Sequence, residues 1–421
     1  MNASILSIGD EILIGQVINT NSAFISKELF SAGIPVTRVI TVPDTEKDIL
    51  KGIDDAFKSA RIVVSTGGLG PTHDDITVKC IAKYFKKKLV FHEPTYNSIK
   101  LLFEKRRLHM PANIIEQSLM PRGALILANS RGTAPGILIK RRGKVFCSLP
   151  GVPHEMMQLT RKSLMPYLMG VVHKNGKRKF LLQKTLHTIG IAEALLSQKL
   201  GNLEKILHSD KDSCVKLAFL PSNYEVRLRI TVEAAEENKA RKLMKSAANR
   251  VRTRAKEYIY SYDENPLEYE VGKLLLKKKL TIASAESCTG GLVASKLTNI
   301  PGSSGYFTDS VVSYTNASKE KMLGVKHATL VKYGAVSEET AREMAEGIRK
   351  KSKTDIGVST TGIAGPAGAT KTKPVGLVWI GYADRKKSFA KSFIFTNDRL
   401  RNKEIMSKMA LETVRRELLK L

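Results

Sequence analysis

Tryptophan is nearly missing from this 421-residue chain, which has one, and cysteine is scarce, with four. Cys80, Cys147, Cys214 and Cys288 stand far apart with no Cys-x-x-Cys pair, which argues against a zinc or thioredoxin-type site. Reduced thiols in a cytoplasmic protein are the expectation. No apolar run reaches the roughly 18 residues of a membrane span, and Asp10-Glu11 interrupt the first apolar stretch before a signal-peptide core forms. A membrane partner is therefore not expected. Acidic residues are the other shortage: 40 Asp and Glu against 69 Lys and Arg leave a net charge of +29, which draws anionic partners. The basic runs, such as Lys86-Lys87-Lys88 and Lys277-Lys278-Lys279, are short, scattered and free of interleaved aromatics. They read as a solvated surface, so nucleic acid is not an expected partner. What is there suits a globular chain: 42% hydrophobic residues exclude wholesale disorder, and the 30 glycines and 15 prolines show no fibrous period. The length predicts two to four domains.

Short β-branched runs alternate with amphipathic stretches over the first hundred residues. Strands are predicted at Ser4 to Ile8, Val36 to Val42 and Ile62 to Ser65, with helices at Ser22 to Phe30 and Glu46 to Phe57. That βαβαβ order predicts a parallel sheet covered on both faces, with the loops after each strand gathered at one edge. A hairpin through Arg142-Gly143 and a helix from about Pro153 to Leu168 close a first domain, 1–170. A small α+β module, 175–261, follows, with an alternating strand at Val226 to Ile230 and a helix from Ala234 to Val251; it carries no evident chemistry. A helix from Pro266 to Lys279 opens a third α/β domain, 264–421, with strands near Ile282, Val311 to Tyr314, Ile356 to Thr360, Leu377 to Tyr382 and Ser388 to Phe395.

Two segments carry chemistry. The first is the loop Ser65-Thr66-Gly67-Gly68-Leu69-Gly70-Pro71-Thr72-His73-Asp74-Asp75, between a strand and a helix. Its glycines let backbone N–H groups approach an anion, and the helix N-terminus adds positive potential. Asp74-Asp75 and the first-strand loop Gly9-Asp10-Glu11 should meet at one sheet edge, where Asp10, Glu11, Asp74 and Asp75 could hold Mg²⁺ or a similar cation. Helix capping by Asp74 and a turn at Asp10 are the plainer alternatives. The second segment is Ile282-Ala283-Ser284-Ala285-Glu286-Ser287-Cys288-Thr289-Gly290-Gly291. It has the strand, sharp turn and helix form that exposes a nucleophile, and N–H groups of the Thr289-Gly290-Gly291 turn could receive an oxyanion from attack by Ser287. Lysine can replace histidine as base when burial lowers its pKa, and Tyr314 and Lys319 end and follow a predicted strand. On pattern alone Lys319 reads as an exposed helix lysine, and Cys288 as a small buried residue rather than a competing nucleophile.

Gly9-Asp10-Glu11-Ile12-Leu13-Ile14-Gly15-Gln16 with Asn19-Thr20-Asn21, the glycine loop, Gly132-Thr133-Ala134-Pro135-Gly136 and Leu149-Pro150-Gly151-Val152-Pro153 resemble the N-terminal domain of the CinA family, itself similar to molybdopterin-binding domains. Glu286-Ser287-Cys288-Thr289-Gly290-Gly291, Val312-Ser313-Tyr314 with Lys319, and Thr361-Gly362-Ile363-Ala364-Gly365-Pro366 resemble its C-terminal domain. The resemblance implies a three-layer molybdopterin-binding-like domain with metal-dependent ADP-ribose pyrophosphatase activity, and a C-terminal domain that deamidates nicotinamide mononucleotide without a metal, in pyridine-nucleotide salvage. It implies Ser287 as nucleophile, Lys319 as base and Tyr314 as hydrogen-bonding partner. Substrate contacts are implied for Thr289, Gly290, Gly291, Gly362, Gly365 and Arg399 in one site and for Gly67, Gly68, Gly70, Thr72 and Asn21 in the other, in a homodimer. Ala367 and Ala369 stand where the family has glycine, with Lys371-Thr372 in place of acidic residues, Asn397 in place of a glycine, and Ile114-Ile115 in place of an Asn and a basic residue. The altered Ala367 to Thr372 loop motivates an alternative: a nucleotide- or pterin-binding regulatory protein with one or both activities lost.

Overall fold

The structure is a computed structural model that describes residues 1–72, 75–111, 114–174, 180–203 and 206–421. The chain divides into two compact units, Met1–Leu182 with Val232–Arg241, and Gln183–Thr231 with Lys242–Leu421.

Sheet order in the first unit is Val36–Val42, Ala3–Ile8, Ile62–Thr66, Lys144–Leu149, Gly136–Arg141 and Leu125–Leu127. The first four strands are parallel and the last two add on antiparallel. Every residue of Ala3–Ile8 is buried because successive side chains enter opposite cores. Ala3 and Ile5 pack with Ile25, Leu29 and Leu168, whereas Leu6 and Ile8 pack with Ile49, Ile53 and Phe146. Helices on both faces of one sheet make three layers, and burial on both faces explains the unbroken apolar runs. Arg142 and Gly143 both take positive φ, 46° and 73°, as a two-residue hairpin turn of primed type requires. The Asn19 side chain accepts from Ser22 N–H and that of Thr45 from Asp48 N–H, caps worth about 1 kcal/mol each. The Asn19 cap explains why that helix starts at Thr20 rather than Ser22.

The middle stretch of the chain folds a five-stranded sheet ordered His208–Ser209, Ser213–Ser222, Glu225–Ala234, Phe180–Ile189 and Ile259–Ser261. The strand there runs past the expected Ile230, since Val226, Leu228, Ile230, Val232 and Ala234 keep a buried period of two. The following helix is therefore Glu237–Ala255, later than Ala234 to Val251. The C-terminal sheet is ordered Phe307–Val312, Ile282–Glu286, Ile356–Gly362, Leu377–Ala383 and Ser388–Ile394, the first three strands parallel and the last two antiparallel. One face carries the helix Arg399–Leu418, whose Ile405, Met406, Met409 and Val414 share a core with Ile282, Val293, Leu297, and Ile189 and Tyr260 of the middle sheet. The other face carries Glu338–Lys351, with Met344 and Ile348 against Ala283 and Ala285. The strand expected at Val311 to Tyr314 ends at Val312, so Tyr314 lies in the loop beyond it. Among the described residues no helix is long and apolar enough to cross a membrane.

Candidate active site

The parallel pairing of Ile282–Glu286 with Phe307–Val312 and Ile356–Gly362 brings three strand ends to one edge, and the loops beyond them carry the chemistry. Ser287 follows the central strand directly. Its N–H donates to Thr360 O at 2.9 Å, and Ser313 N–H donates to Glu286 O at 2.8 Å, so both neighbouring strand ends hold its backbone. Lys319 lies on the helix Asn316–Leu323, started by Thr315, whose hydroxyl accepts from Ser318 N–H. Lys319 Nζ sits 3.1 Å from Ser287 Oγ and donates to Ser313 O at 2.8 Å. The side chain is not the exposed helix lysine that its pattern suggests. It is 1% exposed, because the helix turns that face back onto the sheet. Burial lowers the Lys319 pKa below the usual lysine range, against a smaller upward pull from Cys288. A neutral amine beside a serine hydroxyl has a lone pair for its proton. Cys288 points the other way chemically: burial pushes its thiol up to about 12, which keeps it protonated.

Tyr314 and Arg399 form a second pair. Arg399 Nη2 donates to Tyr314 Oη at 2.7 Å and Nη1 to Gly365 O at 3.0 Å. The phenol, 58% exposed, thus engages the guanidinium. Asn402, fully buried, donates to Ala364 O and Thr396 O and accepts from Thr396, tying together the two loops that flank Arg399. Pattern reading missed it, although a polar residue on the apolar face of a long helix was a usable signal. A Cβ on Gly362 would lie 2.6 Å from Leu377 O, so that residue serves close strand approach. In the departing loop positive φ falls on Gly365 and Gly368, and neither Ala367, Ala369 nor Asn397 needs it.

The turn after Ser287 departs from expectation. Gly290 N–H donates to Ser287 O at 3.2 Å, and Gly291 N–H to Glu286 Oε2 at 2.9 Å, so two of the three amides expected to receive an oxyanion are engaged internally. Thr289 Oγ1 likewise donates to Glu286 Oε2 at 2.6 Å. Glu286 was not singled out in the sequence, because a carboxylate at a strand end reads there as exposed.

The N-terminal domain presents a cavity of about 610 Å³ at the corresponding sheet edge, lined by Asp10, Glu11, Asn21, Asp44, Gly67, Gly68 and Asp75. Gly67, at φ 110°, is required there: a Cβ would lie 2.1 Å from Ile8 O. Asn21 Nδ2 donates to Gly151 O at 2.6 Å and to Thr66 Oγ1 at 3.2 Å. Gly70 and Thr72 instead line a separate cavity, which shares only Asp75 with the first. Asp75 Oδ2 accepts from Thr72 N–H at 3.0 Å and Thr72 Oγ1 at 2.5 Å, closing the loop on itself. The helix after the loop starts at Thr77, and its first N–H turns back to Gly68 O, so it is not offered to an anion. Asp74, with His73, lies outside the described residues, as does Asn113. Asp44 was missed by the sequence reading. It follows the strand Val36–Val42 at the same edge, and that position was its available signal. Asp44 Oδ2 accepts from Asp10 N–H at 3.1 Å. Burial raises its carboxyl pKa, and the charges of Asp10, Glu11 and Asp75 add to this against the lowering by Asp10 N–H. Among the described residues no three of His, Cys, Asp and Glu come together to hold a metal ion.

Comparison with known proteins accounts for the whole chain. Residues 4–170 match the probable molybdopterin binding domain, 183–261 the damage-inducible protein CinA KH domain, and 264–418 the CinA C-terminal domain. A CinA-like protein of Chloroherpeton thalassium is 45% identical over 423 residues, 99% of either chain. A putative competence-damage inducible protein of Clostridioides difficile is 42% identical over 428 residues, covering 100% of both. Among solved structures, a CinA protein described as of unknown function from Thermoplasma acidophilum is 35% identical, covering 40% of this chain and 97% of its own, with a TM-score of 0.37. With full-length relatives at this identity and all three domain descriptions met in order, the chain belongs to the CinA family.

Proposed function

We propose that the C-terminal domain hydrolyses the carboxamide of nicotinamide mononucleotide to the carboxylate, releasing ammonia. The observation that carries this reading is the 3.1 Å separation of Ser287 Oγ from a buried Lys319 Nζ. Lys319 takes the Ser287 proton as Oγ bonds to the amide carbon. The same proton passes to the leaving nitrogen as the C–N bond breaks, and water then splits the acyl-serine ester to give acid and free serine. Ser313 O, accepting from Lys319 Nζ, orients the amine lone pair. Arg399, held by Tyr314 and Gly365, carries a fixed positive charge suited to a phosphomonoester or to the developing oxyanion. The test is ammonia release from nicotinamide mononucleotide in excess chelator, with Ser287→Ala as control. Turnover abolished by the substitution supports the reading, and turnover unchanged by it defeats it. Ligand binding by calorimetry with no turnover in the native chain favours the regulatory alternative.

A second reading concerns the N-terminal cavity, where negative charge gathers on Asp10, Glu11, Asp44 and Asp75 beside Gly67 and Gly68. We propose that it cleaves the diphosphate of ADP-ribose with a divalent cation. Among the described residues no three side chains of His, Cys, Asp or Glu gather to hold a metal ion, and Asp74 lies outside those residues. The gathering of these acidic side chains around one cavity supports the reading; the Asp44 pKa is raised chiefly by burial, with a smaller contribution from Asp10, Glu11 and Asp75 that a cation would offset. Hydrolysis of ADP-ribose that persists undiminished in chelator overturns the metal requirement.

A further inference from the structure

Glu286 is fully buried, and its two oxygens accept four hydrogen bonds. Oε2 takes Thr289 Oγ1 at 2.6 Å, Gly291 N–H at 2.9 Å and Val293 N–H at 3.1 Å, while Oε1 takes Ala294 N–H at 2.8 Å. The Thr289 hydroxyl also meets Thr360 Oγ1 at 2.7 Å, which ties this carboxylate to the strand whose carbonyl holds Ser287 N–H. A carboxylate buried away from water is costly unless its lone pairs are filled, and here all the donors come from one turn and the helix it opens. That turn, Ser287 to Gly291, contains two consecutive positive-φ residues, Gly290 at 61° and Gly291 at 93°. Two glycines in series leave a chain with many accessible backbone states, so something must select one. We propose that Glu286 is a positioning residue: by binding the backbone on the far side of the glycine pair, it sets the Ser287 hydroxyl against the Lys319 amine.

The proposal rests on Ser287 being the nucleophile. It concerns the placement of that hydroxyl, whichever carbonyl compound it attacks. In Glu286→Gln the amide oxygen can keep the place of Oε2 and its three donors, but the amide nitrogen then stands where Oε1 accepts from Ala294 N–H, donor against donor, and the charge that four donors satisfied is gone, with almost no change in volume. The experiment compares the native full-length chain with Glu286→Gln and, because the first variant removes a deeply buried set of bonds, with Thr289→Val, which deletes one donor. Three quantities are read: kcat and KM for ammonia release from nicotinamide mononucleotide, the labelling rate of Ser287 by a serine-directed fluorophosphonate as a function of pH, and the melting temperature. For Glu286→Gln the expected result is a loss of about 100-fold in kcat, of the size a misplacement of around 1 Å causes. KM stays nearly unchanged, and the labelling rate falls in parallel and loses the rising limb with pH that the amine confers. Thr289→Val shows the same pattern, less strongly. A fall in melting temperature in both variants with kcat and labelling intact overturns the proposal and leaves Glu286 a structural residue only. If the native chain labels at Ser287 but releases no ammonia, the substrate assignment fails while the labelling comparison still decides the role of Glu286. A native chain that labels no faster than Ser287→Ala has no nucleophile to position, and that too overturns the proposal.

Discussion

The two candidate sites sit at equivalent edges of similar parallel sheets, yet their polar groups are handled in opposite ways. At the C-terminal site Ser287, Lys319, Glu286 and the Thr289 hydroxyl are buried and satisfied by one another at distances from 2.6 to 3.1 Å. At the N-terminal cavity Asp10, Glu11, Asp44 and Asp75 line a common space, and burial, with the neighbouring acidic charges adding to it, raises the Asp44 pKa. In the first arrangement the carboxylate and the amine each have hydrogen-bond partners within the chain. The second gathers like charge that only a bound cation or proton can offset. On the proposed reading, reactivity at the first site comes from the geometry of side chains already in contact, whereas the second would act through a bound cation.

That contrast breaks most sharply at the dyad. Lys319→Met keeps much of the side-chain volume and removes the base, and kcat for ammonia release should drop by about a thousandfold. Its pH dependence is separately diagnostic. The folded pKa of Lys319 lies below its usual 10.5, so between the two values the unfolded chain binds more protons, and native stability rises with pH across that window. Lys319→Met should lose this rise and be the more stable form at neutral pH, which denaturant titrations at several pH values would reveal. A steeper rise with pH in the variant would contradict burial as the cause. A smaller effect is expected for Tyr314→Phe, which deletes the acceptor of Arg399 Nη2. Loss of one hydrogen bond to a charged group corresponds to about a tenfold decrease in kcat/KM, and an unaltered value would mean that Gly365 O alone fixes the guanidinium.

The smallest change belongs to the acidic cavity. Because the Asp44 pKa is raised from 3.8 in the folded state, its ionised form destabilises that state, fully so above the raised value. Asp44→Asn should stabilise the native chain by up to about 1 kcal/mol at neutral pH, with the gain vanishing as pH falls below 3.8. Calorimetric melting at pH 7 and pH 3 tests this, and equal shifts at both would remove the electrostatic explanation.

Much of the fold was legible because period is a local property. Val36–Val42 was read to the residue, and the hairpin at Arg142-Gly143 followed from turn chemistry. Boundaries failed where a tertiary partner decided them. Ala234 looks like a helix start but completes a buried alternation, and Tyr314 looks like a strand end but lies past the last residue paired with Glu286. The identities of Ser287 and Lys319 came from motif, yet the burial that lowers the Lys319 pKa is invisible in a helix of almost no amphipathic bias, where the same residue reads as solvent-facing.

The order of residues by itself determined the alternation of strands and helices, the glycine-bearing turns after the strands and the types of side chain available at their ends, since these depend on neighbours a few positions away. Only the tertiary structure decided which of those groups meet. It paired Lys319 with Ser287 across 32 positions of sequence, delivered Asp44 to the carboxylates of the first loop, and drew the Glu286 carboxylate inward to consume the Gly291 amide, one of those expected to face substrate. The physical reason is that desolvation and hydrogen-bond satisfaction are set by everything packed around a group, and packing joins segments that the chain keeps apart.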